Sequence, residues 1–277
     1  MTTDLVARSQ YGLARARHRL RRARERGAPV VVFAMAKTGT TGVAAGLRDA
    51  GIAPVFQVHD LDLAFLDEEE RQYHWSGRPW RIWDARSALA RPPTSDARWR
   101  VVCLVRDPIA QSVSAFFQPG MRHGYLTDAA DIEPLLERFG DRLDRLPLGW
   151  FESHLEPTLG IDVYASPFDP ERGYAIISTP SVDLLLLRCE GLAVAPHALA
   201  ELFHRKDPIA VPRKNVGSDK DYGRAYDAFV SELRPSPETL DQVYSSRIVT
   251  HFYTSEEIAK FREFWSVRTP LSGPYSQ

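Results

Sequence analysis

Residues 30–47 read VVVFAMAKTGTTGVAAGL. An apolar, β-branched run ends in a Lys-Thr-Gly-Thr-Thr turn, and a helix-like segment follows at once. This is the layout of a phosphate-binding strand–loop–helix. The helix N-terminus there presents backbone N–H groups and the positive end of its dipole to an anion. Lys37 adds a mobile cation, Thr38, Thr40 and Thr41 add hydroxyl donors, and Gly39 lets the backbone approach an oxyanion closely. The loop is not a Walker A sequence. That motif places one Gly five residues before a second and the Lys directly after the second. Here position 34 is Ala34, and Lys37 precedes Gly39.

Outward from this stretch the chain alternates strand-like and helix-like units. That predicts an α/β fold with a central, mainly parallel sheet flanked by helices. Strands are expected at 30–35, 53–58, 99–105, 174–178 and 182–189, the last one central because it is long and apolar. Helices are expected at 40–50 (stopped by Gly51), from Pro108 to Phe117, over 128–160, and near 194–204, 222–234, 237–245 and 255–266. A polar stretch with Trp75, Trp80 and Trp83 reads as short helices or loops, its tryptophans as packing or as platforms for sugar rings. Ligands of open α/β sheets sit at the carboxyl ends of the strands. Lys37, His59, Arg106 and Glu190 all end strands and so share the predicted ligand edge.

With 277 residues, 44% of them hydrophobic, and no linker or repeat, the chain is long enough for one large core. The expected organisation is a basic helical extension over 1–27 and a single α/β domain over 28–277. Residues 8–26 hold eight arginines and one acid, Glu25. Tyr11, Leu13 and Leu20 give this helix a thin apolar stripe. It reads either as a contact for anionic lipid or an acidic partner, or as a solvated helix packed on the domain by those few residues. The net charge of −1 argues against nucleic acid as a partner. Cys103 and Cys189 sit in apolar runs with no disulfide framework and no metal-ligand spacing. No run approaches a membrane span and no secretory signal is visible, so a cytoplasmic location is expected, with the inner membrane face as a peripheral site.

A second motif sharpens the first. Strand 101–105 is followed by RDPIAQSVSAFF; Arg106 ends the strand and Ser114 lies eight residues on. An arginine fork and a helix hydroxyl suit a second phosphate. Arg213-Lys214-Asn215 with Gly217 offers a basic clamp. At this point the chain resembles the PAPS-dependent sulfotransferases. Their 5′-phosphosulfate loop has the form P-K-x-G-T-T, and residues 36–41 read AKTGTT. Their 3′-phosphate motif is a strand ending in Arg with a Ser eight residues later, as at Arg106 and Ser114. Ala36 stands for the usual Pro, and Asn215 for the Gly of their later R-K-G loop. Residues 187–192, LRCEGL, resemble a further strand end of that superfamily. Within it, segments 150–169 and 245–265 resemble a bacterial group described as capsular polysaccharide synthesis proteins.

The resemblance implies a P-loop-like sulfotransferase fold and transfer of a sulfuryl group from 3′-phosphoadenylyl sulfate (PAPS) to a hydroxyl of a carbohydrate, glycolipid or small metabolite, with no metal. It implies that Lys37 bridges to the leaving-group oxygen, that Thr38, Gly39, Thr40 and Thr41 hold the 5′-phosphate, that Arg106 and Ser114 hold the 3′-phosphate, and that Arg213 and Lys214 fold over the nucleotide. His59, at the ligand edge, is the candidate base, since an imidazole accepts protons near neutral pH; it reads equally as part of a His59-Asp60 helix cap. His154, Glu152 and His251 read as packing, and Glu190 as an acceptor for neighbouring backbone. Two other functions stay open. One is a Mg²⁺-dependent kinase or hydrolase using Thr40, and the other is a non-catalytic partner in envelope synthesis.

Overall fold

The computed structural model describes residues 2–72, 79–122, 131–212 and 223–267. Five strands form one sheet: β1 (Val30–Phe33), β2 (Val55–Val58), β3 (Trp99–Val105), β4 (Tyr174–Ser178) and β5 (Val182–Arg188). Their order is β2-β1-β3-β5-β4. Four are parallel and only β4 runs antiparallel, returning through the short turn after Ser178 to pair with β5. Helices cover the sheet: α1 (Thr2–Arg24), α2 (Thr40–Asp49), α3 (Leu63–Gln72), α4 (Trp80–Leu89), α5 (Pro108–Arg122), α6 (Glu133–Leu143), α7 (Glu156–Leu159), α8 (Ala195–Leu202), α9 (Gly223–Glu232), α10 (Pro237–Tyr244), α11 (Arg247–Phe252) and α12 (Ser255–Ser266). Among the described residues, no helix is long and apolar enough to cross a membrane.

The two longest strands, β3 and β5, lie side by side in the sheet interior and are apolar almost throughout. Strands packed on both faces have no solvent side to alternate toward, so their sequences read as unbroken apolar runs. The expected 128–160 helix is corrected: α6 ends at Leu143, and a π-helical turn at Phe151–Leu155 leads into α7. Pro147 in the intervening turn has no N–H to continue a helix. Gly160, in the left-handed region at φ 67°, ends α7 as expected. The short helices α3 and α4 fill the tryptophan-bearing stretch. Trp83 is buried there and meets Tyr11 edge-on at 5.3 Å, so it packs against α1 and is not a sugar platform. Trp75 lies outside the described residues.

The basic α1 is tied into the sheet rather than packed through its leucines. Leu13 and Leu20 are 58% and 61% exposed. The anchor is Asp84 of α4, which is buried and accepts from His18 Nε2 at 2.8 Å and from Arg22 Nη2 at 2.6 Å. The other carboxylate oxygen accepts from the Gln57 backbone N–H at 3.1 Å, and Arg22 also donates to the Val55 carbonyl at 3.0 Å. Val55 and Gln57 are the residues of β2 whose ladder groups face away from β1. The α1–α4 pair therefore closes a sheet edge that would otherwise present unpaired backbone.

Candidate functional site

The chain leaves β1 toward β2 on one side and crosses to β3 on the other. The crevice outside the carboxyl ends of β1 and β3 is thus the topological switch point of the sheet, the usual ligand position in such folds. Both sequence motifs, the Lys37 loop and the Arg106–Ser114 stretch, open onto it. The loop after β1 carries Lys37 at φ 70°, a left-handed conformation that costs a non-glycine residue free energy and concentrates at functional sites. Gly39 follows at φ 93°, with Leu192 3.0 Å from where a Cβ would stand. From the end of β3, Arg106 Nη1 donates to the Lys37 carbonyl at 3.0 Å. The two motifs, 69 residues apart in sequence, are in direct contact.

Protein donors take up the loop carbonyls. His59 donates to Ala34 at 2.7 Å, Gln111 of α5 to Ala36 at 2.8 Å, and Arg106 to Lys37. Among the described residues, the N–H groups of Thr38, Gly39, Thr40 and Thr41 have no backbone acceptor. A loop whose carbonyls are pulled inward and whose N–H groups stay unclaimed at a helix start fits an anion. The threonines divide. Thr38 is fully buried and its hydroxyl donates to the Met35 carbonyl at 2.9 Å, so what it offers an anion is its backbone N–H. The hydroxyls of Thr40 and Thr41 accept from the buried Gln57 amide at 2.8 and 3.3 Å, which leaves each hydrogen free to donate. Ser114 is half-buried one turn beyond Gln111 on α5, hence on the side of that helix that meets the loop.

His59 stands at the end of β2, beside this loop. Its Nδ1–H is fixed by the Ala34 carbonyl, so Nε2 carries the lone pair. Burial, and then the Arg81 guanidinium, push its pKa down to about 4 against the pull of that hydrogen bond. The neighbouring Asp60 is buried, caps Asp62 and lies 3.2 Å from His154 Nε2. His154, in the π-helical turn, stacks on Trp150 at 5.6 Å, and Trp150 meets Phe33 of β1 edge-on. The fold thus brings His154, which reads as packing in the sequence, next to Asp60 at the ligand edge.

Asp107 and Glu190 hold the edge together. Asp107 is fully buried and accepts from the Ile109 N–H, the Tyr244 hydroxyl and Trp265 Nε1, pinning the start of α5 to α10 and α12. Glu190 accepts from the Asp107 N–H and the Tyr253 hydroxyl, both at 2.9 Å, in line with the orienting role expected of it. Burial raises its pKa above the usual carboxylate range. Arg213 and Lys214 lie outside the described residues. The chain approaching them is described: its 209–212 segment runs antiparallel to α2, with the Ala210 carbonyl against Gly46 and the Pro212 carbonyl against Gly42. It travels toward the N-terminal end of α2, where the loop is.

A second polar group lies where segments 150–169 and 245–254 meet. Arg247 sits over the Tyr164 ring at 4.0 Å and pairs with Asp162 at 3.5 Å. The Tyr164 and His251 rings are 5.1 Å apart. Among the described residues, Glu152 Oε2, the Tyr164 hydroxyl and His251 Nε2 are buried without a hydrogen-bond partner. Burial and Glu152 raise the Tyr164 pKa, while burial and Arg247 lower that of His251. Such orphaned groups are normally satisfied by water or a polar ligand.

The fold and its switch-point crevice define an α/β protein with a strand–loop–helix at the carboxyl ends of its parallel strands. A family model described as "Putative capsular polysaccharide synthesis protein" matches residues 129–254. No curated protein and no solved structure matches the chain. The matched stretch takes in β4, β5, the His154 turn and the second polar group, and stops short of the Lys37 loop, His59, Arg106 and Ser114 on its N-terminal side.

Proposed function

We propose that this chain is a sulfotransferase of polysaccharide synthesis, moving a sulfuryl group from PAPS to a hydroxyl of a carbohydrate, glycolipid or small-metabolite acceptor. The observation that carries this reading is the Arg106–Lys37 contact across the switch point. It sets two basic phosphate elements side by side, as a nucleotide phosphorylated at both ends requires. The N–H groups of residues 38–41 and the hydroxyls of Thr40 and Thr41 receive the 5′-phosphate, and Arg106 with Ser114 receives the 3′-phosphate. Arg213 and Lys214, next in sequence after the strap, are assigned to the same nucleotide by the resemblance. Polysaccharide synthesis as the setting comes from the matched family's description.

In the transfer, the acceptor oxygen bonds to sulfur as the bond from sulfur to the bridging phosphate oxygen breaks. Lys37 neutralises the charge gathering on that departing oxygen, and His59 Nε2 takes the hydroxyl proton. A pKa near 4 makes His59 by itself a poor base. The phosphosulfate anion beside it favours the imidazolium and raises that value toward the working range. His154, oriented by Asp60 and Trp150, stands on the acceptor side. The Mg²⁺-dependent alternative needs a strand-end carboxylate for the metal. Asp107 and Glu190 are so placed, and their oxygens already accept from Ile109, Tyr244 and Trp265, and from the Asp107 N–H and Tyr253.

The test is calorimetric titration with adenosine 3′,5′-bisphosphate without metal, on wild type, Lys37→Ala and Arg106→Ala. Micromolar affinity, about −8 kcal/mol, is expected for wild type, with a loss of about 2 kcal/mol for Arg106→Ala from a charge-assisted contact. Binding of Mg-ATP and none of the bisphosphate overturns the proposal in favour of a kinase or hydrolase.

A further inference from the structure

The anchor that docks α1 also decides which of its faces is left outside. Tyr11, Arg15, His18 and Arg22 recur at helical spacing and turn inward, where Tyr11 donates to Glu70 at 2.6 Å and His18 and Arg22 meet Asp84. Leu13, Ala16, Leu20 and Ala23 recur at steps of three, four and three on the opposite side, and all four are exposed. Arg17, Arg21 and Arg24 flank this stripe on one side and Arg19 on the other, all exposed. A shallow groove lined by Arg17, Leu20, Arg21, Arg24 and Glu25 runs along it. The one acid of the segment, Glu25, is drawn to the buried Arg22 at 2.8 Å. Between Ser9 and Arg24 there is no other acid, and residues 8–26 carry eight arginines in a chain of net charge −1.

We infer that the outer face of α1 docks the protein on an anionic membrane surface, lying in the interface plane. The stripe enters the headgroup layer, and the flanking guanidinium groups bind lipid phosphates. The two features together select this partner. Surface arginines alone would serve any polyanion, and two exposed leucines alone any apolar face. A narrow apolar stripe bordered on both sides by cations, with the nearby Glu25 neutralised by Arg22, is complementary to a surface that is anionic outside and apolar beneath. The inference stands apart from the nucleotide chemistry proposed above, because no residue of the switch-point crevice takes part in it.

The test is flotation of the full chain with vesicles of phosphatidylcholine alone and with about one third phosphatidylglycerol, at low and at 0.5 M salt. The wild type is compared with R17Q/R21Q/R24Q and with L13N/L20N. All five side chains point outward, so the variants should keep the wild-type thermal unfolding midpoint. Wild type is expected to float only with the anionic vesicles and to be released by salt. Partitioning should fall on the order of 100-fold in the arginine variant and about tenfold or more in the leucine variant. Four outcomes overturn the inference: no wild-type binding, unchanged binding by the arginine variant, unchanged binding by the leucine variant, or self-association that L13N/L20N abolishes in place of vesicle binding.

Discussion

His59 shows how one residue's surroundings decide what it can do. Its pKa is pushed from an ordinary 6.5 to about 4, chiefly by burial. Between those values the unfolded chain takes up a proton that the folded chain refuses. Stability from this group is therefore complete above pH 6.5 and is lost as the pH falls toward 4. Other groups titrate in the same window, so the contribution is read by difference. His59→Asn keeps an N–H for the Ala34 carbonyl and removes the titration. Urea unfolding at pH 7 and pH 4.5 should show wild type losing about 2 kcal/mol more than the variant over that interval. Equal losses would place His59 in a wetter site than the fold gives it. Much of the neighbourhood was legible beforehand, because Lys37, Arg106 and His59 each end an apolar run and ends of parallel strands collect ligands. Gln57 and Gln111 were not legible. An amide says nothing in sequence until the fold aims it at a loop carbonyl or a threonine hydroxyl. His154 was hidden for a related reason, since its partner Asp60 is 94 positions earlier and the two meet only through the packing of Trp150 on Phe33.

Elements were read best where burial leaves one option. The β3 and β5 runs are apolar except at Arg100, Asp183 and Arg188, and their observed ends lie within a residue of those expected. The segment 128–160 misled, because helical periodicity alone does not register an interruption at Pro147 or the widened turn at Phe151–Leu155. The meeting of α2 with the 209–212 strap was also invisible, although its glycines are plain in the sequence. A Cβ at Gly46 would overlap the Ala210 carbonyl oxygen, and one at Gly42 would stand 2.7 Å from that of Pro212. Both obstacles are backbone, so the strap itself has to move. Gly46→Ala sets two effects in opposition: a gain of about 1 kcal/mol in helix propensity and an overpacking cost of about 1–3 kcal/mol. The expected net result is destabilisation, together with weaker binding of the bisphosphate as the strap shifts. Gly140 of α6 is the control, because a Cβ there meets nothing within 4 Å. Gly140→Ala should stabilise by about 0.5–1 kcal/mol. Denaturant midpoints of the two variants moving in opposite directions would bear out the close approach; a stabilised Gly46→Ala would rule it out.

At the scale of the molecule, the sheet is closed on its β2 side by a helix whose sequence looks like an appendage. Its arginines suggest solvent, yet Arg22 is among the most buried polar residues, holding Asp84 and the Val55 carbonyl and lying 4.5 Å from the Phe56 ring centre. Nothing local marks Arg22 apart from Arg21 or Arg24, since its partner lies 62 positions away and only the assembled edge selects it. The consequence can be measured by removing residues 1–27. That truncation takes away both His18 and Arg22 and leaves the Asp84 carboxylate with the Gln57 N–H and, as countercharge, only Arg48, which makes no hydrogen bond to it. Breaking a buried pair in this way costs about 3–5 kcal/mol. It also strips the cover of α1 from the edge strand β2, where the outward carbonyl of Val55 keeps only its bond from Arg48, an invitation to intermolecular pairing. The truncated chain should therefore unfold at lower denaturant and scatter light at concentrations where the full chain does not. Adding Asp84→Asn separates the two effects, because it removes the stranded charge while leaving the edge open. Stability should then recover in part while the aggregation persists. A truncated chain as stable and as monodisperse as the full one would mean that residues 28–277 form a unit on their own and that the Arg22–Asp84 anchor contributes nothing to it.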